Sequence, residues 1–213
     1  MRARGKKIID PSEMDILLTD YEKKPLDFRS FFPEERNRLT LELEIGSGDG
    51  SFLLRQSAKV PDVNYIGVEL SIPYCYKIIR KIRENNIKNI RMIRTEAEMF
   101  IKEYAGDEVF SQIHIYYPDP WPKRRHNNRR LIKETFLREL YRVLRPEGLI
   151  RIATDHGDYF QWIEKHTALV SDLFEKLPFI PPEAASDDEL VGTVYEYKFR
   201  DKSKPKGLIL KKI

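Results

Sequence analysis

The chain has 213 residues, 34% of them charged and 41% hydrophobic, with a net charge of +4. That length suits one α/β domain with an ample core, and no apolar run approaches the length a membrane span needs. Cys75 stands alone and the first residues carry no signal-type apolar stretch, so a disulfide framework is excluded and a cytoplasmic protein is expected.

Strands alternate with helices along the chain. The first forty residues have no clear period, but Phe28, Phe31 and Phe32 are expected to pack on the domain, making 1–38 an extension of it. Leu41-Glu-Leu-Glu-Ile45 reads as a strand that runs into Gly46-Ser-Gly-Asp-Gly50, followed by a helix over 51–59 that stops near Pro61. Residues 64–70 form the second strand. Ser71 is placed to cap the next helix, with Pro73 in its first turn and Cys75, Ile78, Ile79 and Ile82 on one apolar face. A third strand over 90–94, a short helix over 97–104 and a fourth strand over 110–117 follow. Leu137, Leu140, Tyr141 and Leu144 mark a helix closed by Pro146 and Gly148, and residues 149–153 a fifth strand. This alternation predicts a doubly wound, mostly parallel sheet with helices on both faces and right-handed crossovers.

Charge is distributed in clusters. Arg2, Arg4, Lys6 and Lys7 near the start, and the tail from Lys198 to Lys212, read as solvated ends of the chain. His114, His126, His156 and His166 have no metal-ligand spacing with Cys75, so no metal is expected.

The glycine turn points to a nucleoside cofactor. Three glycines at alternate positions between a strand and a helix let the backbone approach a ligand at the helix N-terminus. Glu44 lies two residues before Gly46, and Glu69 closes the second strand, where a carboxylate commonly binds ribose hydroxyls. Position 51 is serine, where a dinucleotide fingerprint wants glycine or alanine. Glu96 follows the third strand, either as an adenine contact or as an ordinary helix-start acid.

After the fourth strand comes Pro118-Asp-Pro-Trp-Pro-Lys-Arg-Arg-His-Asn-Asn-Arg-Arg-Leu131. Proline fixes φ and lacks an N–H, so a stiff, extended segment is predicted, with Asp119 and Trp121 just past a strand's carboxyl end. Lys123, Arg124, Arg125, Arg129 and Arg130 suit a polyanion. As a helix start such cations oppose the macrodipole, which favours a partner over a solvated face. Trp121 is open to two readings, packing or stacking on a base.

With both motifs in hand, the chain resembles the bacterial tRNA (guanine-N7-)-methyltransferases from about Leu41 onward. The residues that carry the likeness are Glu44-Ile-Gly-Ser-Gly-Asp-Gly50, Ile66-Gly-Val-Glu69, Tyr117-Pro-Asp-Pro-Trp-Pro-Lys123, Arg125-His-Asn-Asn-Arg-Arg-Leu131, Ala153-Thr-Asp155 and Thr193-Val-Tyr-Glu196. The resemblance implies the Rossmann-like class I methyltransferase fold, S-adenosylmethionine as cofactor and tRNA as partner, with guanosine-46 of the variable loop as target. By position, it places cofactor contacts at Glu44, Gly46, Gly48, Glu69, Glu96 and Asp119. Substrate contacts fall on Lys123, Asp155, Thr193, Val194, Tyr195 and Glu196, and RNA contacts on Arg125, His126, Asn127, Asn128, Arg129 and Arg130. Glu96 replaces the more usual aspartate, and Asn128 a usual lysine, which removes one phosphate contact.

Guanine N7 has an in-plane lone pair that is free at neutral pH, so transfer to it needs proximity and orientation and no base. Positive charge then appears on the imidazole ring, and Asp119 is the expected stabilising carboxylate. Asp155 or Glu196 would accept from the guanine N1–H and amine, although Asp155 also suits a cap for a helix starting near Gly157. Other readings are a methyltransferase acting on another RNA or a small molecule, and an RNA-binding module without catalysis; intact Glu44, Glu69 and Asp119 speak against the last.

Overall fold

A computed structural model describes residues 23–199 and 204–213. The five apolar runs form β1 (Thr40–Ile45), β2 (Val63–Glu69), β3 (Ile90–Arg94), β4 (Phe110–Tyr116) and β5 (Leu144–Thr154). They are parallel, in the order β3-β2-β1-β4-β5. Parallel neighbours require crossovers. These are α1 (Ser51–Lys59), α2 (Ile72–Glu84), α3 (Ala97–Met99, widening into a π-turn at Phe100–Tyr104) and α4 (Glu134–Val143). The chain leaves β1 in one direction and returns to β4 on its other side. Loops after these two strands therefore diverge and open a crevice at their carboxyl ends.

Alternation along the strands divides the core between two faces. In β2, Ile66 and Val68 join a cluster with Phe100 and Ile101 from the α3 segment, Leu137 and Leu140 from α4, and Ile163 from α5 (Gly157–Ala168). Tyr65 faces the other way, toward Leu53 of α1 and Cys75, Ile78, Ile79 and Ile82 of α2. Gly67 shares that second face because a side chain there would sit 2.6 Å from both Leu53 and Met92. Phe28 lies 5.4 Å from the Phe100 ring and 5.8 Å from Phe110, and Phe32 is buried with it, so the segment before β1 packs on the core. Arg2, Arg4, Lys6 and Lys7 lie outside the described residues.

Two expectations are corrected. Pro146 and Gly148 do not form a loop after the helix. β5 begins at Leu144, directly after α4, and passes through them with a register irregularity opposite Phe110 and Gln112. The end of the basic tail is not a solvated end: β7 (Lys206–Lys212) runs antiparallel between β5 and β6 (Phe174–Pro178), while residues 200–203 of the tail lie outside the described residues. Its Leu208, Ile209 and Leu210 are buried, and Lys212 reaches back to donate to the Leu144 carbonyl at 2.8 Å. Replacing Leu210 by Ala should therefore cost about 2–5 kcal/mol in denaturant unfolding; a loss inside the noise would return the tail to solvent.

Candidate active site at the carboxyl ends of β1, β2, β4 and β5

Gly46, Gly48 and Gly50 all adopt positive φ (78°, 52° and 75°), which explains the three glycines in so short a turn. Their surroundings differ. A Cβ on Gly50 would lie 2.6 Å from Ile78, so this glycine seats α1 against α2. Gly46 and Gly48 face open space, with nothing nearer than a backbone oxygen at 4.0 Å from a Cβ on Gly48. The turn is pinned from behind, where the Gly46 and Ser47 N–H groups donate to Val68 O at 2.8 and 3.2 Å.

Glu69 holds the turn as well. Its carboxylate accepts from Gly48 N at 2.8 Å and from Ser71 N at 2.7 Å, using one site on each oxygen and leaving others for a ligand. The Ser71 hydroxyl makes no cap bond to α2. Glu44 shows a sharper contrast with its neighbour on the same face of β1. Glu42 is satisfied on both oxygens, by Gln112 at 2.8 Å and His114 at 3.0 Å. Glu44 is equally buried, yet its Oε2 has no hydrogen-bond partner. Burial, opposed by the Ser47 hydroxyl and reinforced by Glu69 and Asp49, pushes the Glu44 carboxyl up to about 8. Such an orphan acceptor beside an open glycine turn fits a cationic ligand. Glu96 is exposed at the end of β3, where its backbone carbonyl starts α3.

The proline segment is not uniformly extended. Tyr117 and Trp121, the residues before Pro118 and Pro122, take φ values of 51° and 41° and bend it. Asp119 is exposed between these bends. The Arg129 guanidinium lies over the Trp121 ring at 4.9 Å, with His126 edge-on at 5.8 Å, so Trp121 packs under the basic turn Arg124–Arg129. Lys123, Arg124, Arg125, Asn128 and Arg129 are exposed, and His126 and Asn127 half-buried.

Arg130 departs from the expected RNA-facing set. It is 1% exposed, donates to Pro120 O at 2.8 Å and pairs with Asp158. Its guanidinium lies 5.1 and 5.2 Å from the Tyr159 and Trp162 ring centres. A cation so enclosed is a strut between the proline segment and α5, and cannot reach a phosphate.

Glu196 departs too. α6 (Val194–Phe199) follows a loop whose Leu190, Val191 and Gly192 N–H groups all donate to the Glu196 carboxylate, the last two at 2.9 and 3.1 Å. Thr193 Oγ1 accepts from Glu196 N at 3.0 Å. Thr193-x-x-Glu196 thus works as a variant of the capping box, a pattern legible in the sequence, and Glu196 is already committed to backbone donors. Asp155 is not the cap of α5: His156 is its N-cap, accepting from Tyr159 N. Asp155 instead accepts from the Tyr195 hydroxyl at 3.3 Å, while the Tyr195 ring lies 5.0 Å from Tyr117. Burial raises the Tyr195 phenol, with Asp155 and then Asp119 adding to the shift, so both carboxylates act on one hydroxyl. Val194 N donates to Ser51 Oγ at 3.0 Å, tying α6 to the glycine-turn helix. Sequence reasoning missed Arg55, and it gave Ser51 and Tyr117 no contact in the site. The positive φ of Tyr117 and the long-range partners of Ser51 and Arg55 have no local signature.

Comparison with known proteins decides the family. The family model described as "Putative methyltransferase" matches residues 39–206. A tRNA (guanine-N(7)-)-methyltransferase of Oceanobacillus iheyensis is 30% identical over 96% of this chain and 95% of its own length. The enzyme of that name from Staphylococcus haemolyticus is 34% identical over 75% and 74%. This chain belongs to the tRNA (guanine-N(7)-)-methyltransferase family. It spans 65% and 62% of the relatives from Syntrophotalea carbinolica and Thermotoga maritima. Among solved structures, an antibiotic-related methyltransferase superposes with a TM-score of 0.60 at 14% identity, covering 90% of this chain and 98% of that one. A 16S rRNA methyltransferase gives 0.59 at 16% identity, covering 85% and 94%. Likeness at these identities speaks for the fold. Among the described residues no helix is long and apolar enough to cross a membrane, and no group of three acidic, His or Cys side chains is arranged to hold a metal.

Neighbouring arginines of one basic run should therefore separate on mutation. Arg130→Ala should lower stability by about 2 kcal/mol, the scale of two desolvated cation–π contacts plus lost packing. Arg129→Ala should leave the unfolding midpoint nearly unchanged; equal effects in the two variants would refute the assignment of Arg130 as a strut.

Proposed function

We propose that this chain transfers a methyl group from S-adenosylmethionine to N7 of a guanine in tRNA, with guanosine-46 of the variable loop as target. The observation that carries the reading is the buried Glu44 carboxyl, its Oε2 without a partner, beside an open glycine turn, across the β1/β4 crevice from Asp119, Asp155 and Tyr195, in a chain of this family.

Glu44 would hold a cationic part of the cofactor, Glu69 the ribose hydroxyls, Gly46 and Gly48 the backbone side, and Glu96 the adenine end. When bound, S-adenosylmethionine supplies an electrophilic methyl group on a sulfonium. The residues around the second half receive the base. Asp155 accepts from the guanine N1–H and amine, a pattern adenine lacks, and takes this role alone because Glu196 is committed to its loop. Tyr195 and Tyr117 offer aromatic surface to a base drawn from its stack. Asp119 would offset the positive charge growing on the imidazole ring, an electrostatic role that involves no proton transfer. Lys123, Arg125 and Arg129 meet the phosphates at the rim, with Asn127 and Asn128 on the same turn. Unmodified tRNA transcripts with labelled cofactor, followed by mapping of the methylated base, test the reading as a whole.

Two narrower outcomes follow. Without ligand, Glu44 is protonated below about 8. A cation beside it favours the ionised form, so cofactor uptake should release a proton. Affinity should rise by up to about tenfold per pH unit toward that value and level off above it. Calorimetry in buffers of different ionisation enthalpy reads the proton, and Glu44→Gln should bind weakly with no pH slope. A wild-type protein with pH-independent affinity from mildly acidic to alkaline buffer would remove Glu44 from the cofactor site.

Asp119→Asn keeps shape and removes charge. Single-turnover methylation should fall by roughly 10²–10³, the usual loss for one preorganised electrostatic group, with tRNA binding nearly retained. Methylation at the wild-type rate would place the stabilising charge elsewhere.

A further inference from the structure

α6 presents Tyr195 to Asp155, but a six-residue helix has little stability of its own. Its position is imposed by α1. Arg55 donates to both carboxylate oxygens of Glu189, at 3.1 and 2.7 Å, and also to Gly192 O at 3.0 Å and Ser186 Oγ at 2.9 Å. One guanidinium thus gathers three points of the loop that leads into α6. Glu189 in turn accepts from Ser186 N at 3.0 Å, closing the loop on itself. One helical turn earlier, Ser51 receives the first N–H of α6; one residue later, Gln56 bonds Glu183 at 2.6 Å and Ala184 N at 2.8 Å. Gly192 has φ +81°, and a Cβ there would meet Ala184 O at 2.4 Å, so the loop has one tight path across α1.

We infer that Arg55 is a positioning residue for the base-receiving half of the site, acting through Glu189 and Gly192 on Tyr195 and Asp155; the inference rests on the proposed reading of that half. The Arg55 guanidinium is engaged by Glu189, Gly192 and Ser186, and the proposed reading assigns it no contact of its own with cofactor or substrate. It sits in the helix that begins at the glycine turn, so cofactor-side and substrate-side elements share one rigid support. A flat guanidinium fork suits four acceptor atoms on three residues, and an ammonium does not reproduce it.

The test compares wild type, Arg55→Lys and Arg55→Ala in single-turnover methylation of unmodified tRNA transcript at saturating RNA, with cofactor affinity and binding stoichiometry by calorimetry. The rate should fall in that order, by about tenfold or more for Arg55→Ala, since small misplacements cost that much. Cofactor affinity should stay within about twofold, and stoichiometry near one cofactor per chain. A merely structural role lowers stoichiometry by the same factor as the rate, and that result, or an unchanged rate, overturns the inference. If Arg55→Ala does not fold, Glu189→Gln carries the same comparison; failure of both to fold also overturns it. Should wild type methylate no tRNA, the functional reading fails, and amide exchange then judges the clamp. Faster exchange in Arg55→Ala confined to residues 186–197 supports it, and unchanged exchange there refutes it.

Discussion

Burying a carboxyl group without a full set of partners costs free energy, and the cofactor half of the proposed site is arranged around that cost at Glu44. Two residues earlier on the same face, Glu42 shows what a stability-driven solution looks like, with both oxygens bonded inside the sheet. Glu44 has no such arrangement. Between the unfolded carboxyl's 4.5 and the folded value of about 8, the folded state holds the extra proton, so stability falls as pH rises through that window. A bound cation reverses the balance. The neighbouring acids add to the same tension, because Glu69 and Asp49 repel the ionised form. In a site for a cation, that strain in the empty protein becomes affinity.

In the proposed site Glu69 has a double task that follows from its position. By accepting from Gly48 N and Ser71 N it fixes the glycine turn to the end of β2. The backbone that must lie close to a ligand is thereby set before any ligand arrives. Preorganisation of this kind limits the ordering that binding must impose.

Much of this was legible in the sequence, because period and glycine spacing are local signals. β1 to β5, α1 and α2 follow from apolar repeats, and the crevice from their order. What escaped was set by tertiary partners. Arg130 sits in a run of cations, yet Tyr159, Trp162 and Asp158 from α5 enclose it, and a guanidinium serves equally as phosphate ligand or core strut. Sequence reasoning gave Glu196 only a substrate contact and left its capping-box spacing unused; in the structure three loop N–H groups donate to its carboxylate. In β7, lysines at 206, 211 and 212 outweighed Leu208-Ile-Leu210 in a reading by charge. A short antiparallel strand inserted beside a parallel sheet has no periodicity long enough to announce it.

The burial of Arg130 sharpens the role of the residues beside it. A cationic turn on a free loop would lose much of its attraction for RNA to ordering entropy. Here Arg130 anchors one end of the turn to α5 and to Pro120, and Trp121 supports Arg129 from beneath. The prolines limit the path between these anchors to few conformations. Lys123, Arg124, Arg125 and Arg129 are therefore presented on a stiff rim next to Asp119. In the proposed reading, a phosphate held by that rim would restrict where the attached nucleotide can fall, and the anchored turn would become part of the register that brings one base to the crevice. Positive charge that carries no sequence information can in this way contribute to choosing the base, through geometry instead of hydrogen bonds.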